Sequence, residues 1–241
     1  MLVSLCLSRP MRLRRLILPF DLASRLERGR QLFEVGGHAK RAENDGTVRI
    51  AAWTRFDYTV APDECGSVSS FWSIDVSLMP FADADLRRRT RHDVPRTLAQ
   101  QMFCKPGHAW NAEEVARQLG CTERKLRSLL FAQNESFTSI LRRQRLMCIL
   151  LKMFDEGALT EHACRVGGVR DVKQLGREFA LEFDGELNHV LEALAVRSIT
   201  AAHPRRDNGV IRAGLKAKRW PTDLSFENPW QNGNATPHID P

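Results

Sequence analysis

The stretch Glu113–Phe131, EEVARQLGCTERKLRSLLF, contains two helical patterns separated by only a Gly and a Cys. Val115, Ala116 and Leu119 make the apolar face of a first helix, and Gly120 is the residue type best able to adopt the left-handed conformation that ends it. Thr122 stands where it can cap a second helix. Within that helix Leu126, Leu129 and Leu130 recur at i, i+3 and i+4 as one buried face, so Arg124, Lys125, Arg127 and Ser128 point elsewhere. A break this short lets two helices cross steeply. That is the helix-turn-helix arrangement, in which the second helix is offered to a major groove and the first braces it.

Further along comes a longer apolar helix, Ser136–Asp155 (SFTSILRRQRLMCILLKMFD), and then a second interrupted unit, Thr160–Phe183 (TEHACRVGGVRDVKQLGREFALEF). Gly167 and Gly168 supply its break. Val172, Leu175, Phe179 and Phe183 are spaced to share one face of its second helix, which leaves Arg170, Lys173, Gln174 and Arg177 for solvent or DNA. Arg142, Arg143 and Arg145 on the connecting helix are placed to set the orientation of the two units rather than to read bases.

Two such units on one long helix resemble the DNA-binding domain of the AraC/XylS family of bacterial transcription regulators, over Trp110 to Leu194. The resemblance rests on an ordered set: E-E-V-A-x-x-L-G and T-E-R-K-L (Glu113 to Leu126), S-F-x-x-x-L with R-R-x-R-L (Ser136 to Leu146), G-V-x-D (Gly168 to Asp171), R-x-F (Arg177 to Phe179) and E-F (Glu182, Phe183). The chain departs from the family pattern at Ser128 and Leu130, at Asn134, at Ile149, at Ala163-Cys164, at Val169, at Lys173 and Leu175, and at Asp184. The resemblance implies a sequence-specific DNA-binding regulator, an activator, whose partners are promoter DNA and RNA polymerase. It implies DNA contacts from Thr122, Arg124, Lys125, Arg127, Ser128, Arg170, Lys173, Gln174 and Arg177, and it calls for no cofactor. The departures in the second unit support an alternative, an adaptor or anti-activator that keeps the fold and works by protein contact.

Outside this region the pattern changes. Asp21–Val35 has the spacing of a helix, whereas TVRIAAWTRFDYTV and SVSSFWSIDVSLM alternate as half-buried strands do. Residues 1–82 are expected to form a small α+β or mostly β region, 83–107 a basic linker with Arg87, Arg88, Arg89 and Arg91 and room for one short helix, 108–195 the all-α double helix-turn-helix domain, and 196–241 a loose tail. The fold class expected for the whole chain is mainly α. Family members carry an N-terminal ligand-binding, dimerising barrel, but the stretch before the linker is short for one and shows no barrel pattern. Shorter members, including activators of virulence genes, share this layout and depend on a protein partner. A protein co-regulator or a homodimer contact is therefore expected through the N-terminal region.

The chain has 241 residues, long enough for one large domain or two small ones, and two are expected. Its net charge of +7 is consistent with an anionic partner, although by region it divides into about +5 (1–105), about −1 (106–196) and about +3 (the rest) by side-chain counting. The basic excess thus lies outside the helical region. Six scattered cysteines without a C-x-x-C pair read as reduced core residues of a cytoplasmic protein. No apolar run approaches the roughly 20 residues that span a bilayer, so no membrane partner is expected. In MLVSLCLSRP the arginines follow the apolar run, the reverse of a secretory signal, and Met11 offers a second start. A phosphate-binding Gly loop, H-E-x-x-H and a Ser/His/Asp signature are all missing from the sequence, so catalysis is not expected.

Overall fold

Val3, Leu5 and Leu7 are buried in strand β1 (Leu2–Leu7) and alternate with less buried neighbours, the period of a strand with one face on a core. The same alternation runs through β3 (Leu22–Arg28), β4 (Arg30–Val35), β6 (Thr47–Ile50), β7 (Arg55–Ala61) and β8 (Val68–Ile74), and through β2 (Met11–Ile17) up to a break after Leu13, with β5 (His38–Glu43) pairing β4 at one edge. The computed structural model describes residues 1–43, 46–76, 94–169 and 171–194. The Arg87–Arg91 cluster, Arg170 and the 196–241 tail fall outside the described residues.

The strands form two antiparallel four-stranded sheets, ordered β1-β8-β3-β6 and β2-β7-β4-β5. Apart from the β4–β5 hairpin, chain-adjacent strands alternate between the sheets in the manner of a jelly roll, whose two layers bury their inner faces against each other. This corrects the mainly α expectation: strand makes up 28% and helix 42% of the described residues. It also replaces the helix expected over Asp21–Val35 with β3 and β4, separated by Gly29 at φ +92°. The misreading has a physical source. Leu, Arg, Glu and Gln dominate LASRLERGRQLFEV, and all four are good helix formers, but burial of Leu22, Ser24 and Leu26 on a sheet face outweighs that weak local preference.

Aromatic rings fill the space between the sheets. Phe33 lies 4.8 Å from Tyr58, and Tyr58 lies 5.0 Å from Trp72 in an edge-on arrangement, centroid to centroid. Trp72 also meets Phe154 edge-on at 5.7 Å, and Phe154 belongs to a helix.

Seven helices are described: α1 (Val94–Cys104), α2 (Ala112–Gln118), α3 (Glu123–Phe131), α4 (Phe137–Glu156), α5 (Glu161–Val166), α6 (Val172–Phe183) and α7 (Leu187–Leu194). They divide between two cores. Val94, Leu98, Ala99 and Met102 of α1 pack with Val115, Ala116, Leu126, Leu130 and Ile140 in a small cluster around α2 and α3. The second half of α4, with α6 and α7, instead joins the jelly-roll interior in one continuous cluster that includes Leu150, Met153, Phe154, Leu175, Phe179, Phe183 and Val190. The jelly roll reaches the smaller cluster through Trp53, which packs against it from the β6–β7 turn, and it holds α1 directly: Gln100 donates to the Pro19 carbonyl at 3.1 Å, and Phe20 meets Phe103, both in the larger cluster, at 5.6 Å.

Because the Trp72–Phe154 contact lies inside one continuous core, Phe154→Ala should cost about 3–5 kcal/mol and lower a single unfolding transition seen alike by circular dichroism and tryptophan fluorescence. Two separate transitions would show the sheets and helices unfolding independently. A second prediction concerns the thiols. Burial pushes Cys104 up to about 12 and Cys148 well above its ordinary value, with Cys104 adding to the effect on Cys148, whereas Cys65 is exposed. At pH 8 iodoacetamide should label Cys65 and spare Cys104 and Cys148 until denaturant is added, as mass spectrometry of peptides would show.

Candidate nucleic-acid interface

Helix α2 begins at Asn111, whose side-chain oxygen accepts the N–H groups of Glu113 (2.8 Å) and Glu114 (3.4 Å). The turn after it is closed by Gly120 at φ +62° and by the Cys121 N–H donating to the Ala116 carbonyl at 2.9 Å. Thr122 then caps α3, its hydroxyl accepting the Lys125 N–H at 3.2 Å. Leu126 and Leu130 are fully buried and Leu129 half-buried, so the opposite side of α3 is turned to solvent. Arg124, Lys125, Arg127 and Ser128 are all exposed there. Arg127 pairs with Glu123 one turn back, while Arg124 and Lys125 have no ion pair among the described residues.

The second pair repeats this construction. Thr160 caps α5 by accepting the Ala163 N–H at 3.0 Å, Gly168 takes φ +69° in the turn, and Asp171 caps α6 by accepting the Lys173 N–H at 2.9 Å. A Cβ on Gly167 would collide with the Ile149 side chain, so the larger residue on α4 fills the space that glycine leaves. Leu175, Phe179 and Phe183 are fully buried. Val172 does not join them: at the first turn of α6 it is 57% exposed, outside the packed part of that face. Lys173, Gln174 and Arg177 are exposed, and Gln174 donates to Glu178 at 2.7 Å. Arg177 forms no buried salt bridge among the described residues; that bond is made elsewhere. Arg170 lies outside the described residues.

The buried ionic contact belongs to Arg143, on α4, which is 8% exposed. Its Nη1 donates to Glu135 at 2.7 Å, in the turn after α3, and its Nε donates to Glu182 at 2.8 Å, near the end of α6. Burial pulls the guanidinium pKa down, but Glu135 and Glu182 together outweigh that and hold it above its ordinary value. Arg142 reaches Glu182 from outside at 3.5 Å. Arg145 donates to the carbonyls of Pro106 (2.8 Å) and His108 (3.1 Å), tying α4 to the segment that precedes α2. All three arginines of the connecting helix are thus occupied in fixing orientation.

A further anchor runs to the jelly roll. β2 carries a bulge between Leu13 and Leu16, with Arg15 at φ +59°, so that Arg14 and Arg15 both turn outward. Both meet Asp184, the left-handed residue that ends α6, at 2.8 and 3.9 Å. Arg9 pairs with Glu192 of α7 at 3.0 Å, and the Ser8 N–H donates to the Ala193 carbonyl at 3.0 Å. Sequence reading noticed Asp184 only as a departure and missed its partners, since nothing local marks a bulge 170 residues away.

No protein-family model matches this sequence, and no curated protein does. The architecture, a jelly roll continued by two helix pairs on a long helix, recurs in solved structures of another protein. The solved structures that share it include ToxT from Vibrio cholerae. An apo point variant from strain SCE256 aligns with TM-score 0.54 and 8% identity over 80% of this chain and 97% of its own. ToxT from strain O395 gives 0.53 and 10% over 81% and 98%, and the unsaturated fatty acid-bound wild type from SCE256 gives 0.50 and 8% over 80% and 95%. At these identities the likeness is one of fold.

Removing one partner from a buried ion pair leaves the others uncompensated. Arg143→Met should therefore destabilise the chain by about 3–5 kcal/mol in urea unfolding, and adding Glu135→Gln and Glu182→Gln should recover a large part of that loss.

Proposed function

We propose that this chain is an AraC-type transcription regulator that binds promoter DNA through α3 and α6. The observation behind this reading is the matched pair of outward faces. Arg124 and Ser128 on α3, and Lys173 and Arg177 on α6, stand at i and i+4 on short helices of the same construction, and a buried arginine holds the two helices in one relation. An arginine on such a face can bind guanine through two hydrogen bonds, while a lysine serves as a phosphate contact. Thr122 and Gln174 hold the supporting positions: the first caps its helix and the second is aligned by Glu178.

Fold likeness to ToxT supports the same class and says nothing of the operator. Because the helical region carries about −1 by side-chain counting, the DNA affinity must come from these few placed cations rather than from a general positive field. The jelly roll serves as the input module, for a co-regulator or a second copy, because β2 bears directly on the end of α6. Activation through RNA polymerase completes the reading. No described helix is long and apolar enough to cross a membrane.

Selection from random duplexes with the purified full chain tests this. Enrichment of two segments about one helical turn, roughly 10 bp, apart is expected, with a log–log salt slope of about −3.6 if four cations meet phosphates at about −0.9 each. Arg124→Ala/Arg127→Ala, both exposed, should abolish the enrichment while leaving the circular dichroism of the chain unchanged. A folded wild type that enriches nothing would instead favour the adaptor.

A further inference from the structure

Four large apolar side chains are strongly exposed among the described residues: Leu2 at 45%, Val172 at 57%, Leu181 at 71% and Phe131 at 80%. Isolated exposed apolar groups are ordinary on a protein surface. These are not scattered at random, since three of the four lie on α3 and α6. Phe131 follows Arg124 at i+7 and Ser128 at i+3 on the outward stripe of α3, opposite Leu126 and Leu130. Leu181 follows Lys173 at i+8 and Arg177 at i+4 on the outward stripe of α6, opposite Leu175, Phe179 and Phe183. Each helix thus offers one face that is cationic near its start and apolar near its end.

We infer that Phe131 and Leu181 read thymine, by packing on the C5-methyl group that only thymine carries into the major groove. This inference rests on the DNA-binding reading above and supplies the kind of base that the two faces prefer. Nucleic acid is the occupant that suits this surface, because the apolar groups are bordered by Arg124, Lys125, Lys173 and Arg177, none of which has an ion pair among the described residues. Those cations are left to meet phosphate or base acceptors, and a protein surface would have to supply matched carboxylates to each. Once the helix is seated, its apolar end reaches a groove whose only apolar feature is the thymine methyl. Guanine and cytosine present hydrogen-bonding atoms there, which Phe131 and Leu181 would strip of water without replacing, so those pairs are disfavoured at the same positions.

The test uses the full chain and the duplex recovered by random selection. Each thymine of that duplex is replaced in turn by uracil, which removes one methyl and keeps every hydrogen-bonding atom. At one position in each segment the substitution should weaken binding roughly fourfold, the size expected for burying one such group. Phe131→Ala should erase the thymine–uracil difference in one segment and Leu181→Ala in the other, while Phe131→Leu should retain it. Both residues are exposed, so the variants should match wild type in circular dichroism and melting. Specific binding that is indifferent to uracil everywhere overturns this inference and leaves the DNA-binding reading standing. So does Phe131→Ala binding DNA as wild type does while losing promoter activation, which would make Phe131 a protein contact. Failure to recover any selected duplex removes both readings together.

Discussion

The relation between α3 and α6 depends on one buried cation. Arg143 is taken almost wholly out of water, and an isolated charge in that position would be costly, so it persists only because Glu135 and Glu182 close on it from opposite sides. A pair of carboxylates around a planar guanidinium has directional demands that an apolar contact lacks. Glu135 follows the end of α3, and Glu182 is in the last turn of α6. The ionic contact therefore fixes the relation of the two outward faces more than it raises stability, since an apolar replacement of similar volume would serve stability as well.

A second constraint joins that frame to the sheets. The jelly-roll interior does not end at its own strands: Trp72 packs on Phe154 of α4, and the cluster continues into α6 and α7. The bulge in β2 adds a polar anchor by turning Arg14 and Arg15 onto Asp184. Close-packed cores do not deform smoothly, and β2 and the end of α6 share both this core and this anchor. The first helix pair is tied less directly. Its core is a separate cluster, met by the jelly roll through Trp53 and through α1.

Charge placement follows from the same frame. The helical region is close to neutral, and most of its arginines are used internally: Arg117 and Arg127 pair along their helices, and Arg142, Arg143 and Arg145 brace α4. What remains for an external anion is a small set on α3 and α6. Such a surface depends on geometry and on apolar contact to a greater degree than a uniformly basic one, whose attraction is long-ranged and indifferent to sequence.

The sequence by itself determined the helix pairs. Gly120, Thr122, Asp171 and the spacing of Leu126, Leu130, Leu175 and Phe179 are local signals, because caps and turns are settled within a few residues. The outward placement of Arg124, Lys125, Lys173 and Arg177 follows from the same spacing. Only the tertiary structure decided the rest. Asp21–Val35 carries helix-forming residues and becomes two strands, since pairing with distant β8 and β7 buries one face of each. Val172 fits the apolar spacing and yet is exposed, as the approach of α4 is set by chain folding and not by the helix itself. Arg143 could not be told from Arg142 or Arg145 in the string, because which of three neighbouring arginines is buried depends on carboxylates 8 residues before it and 39 after it. Local physics writes caps and faces into the sequence; long-range packing chooses among them, and its partners are adjacent only in space.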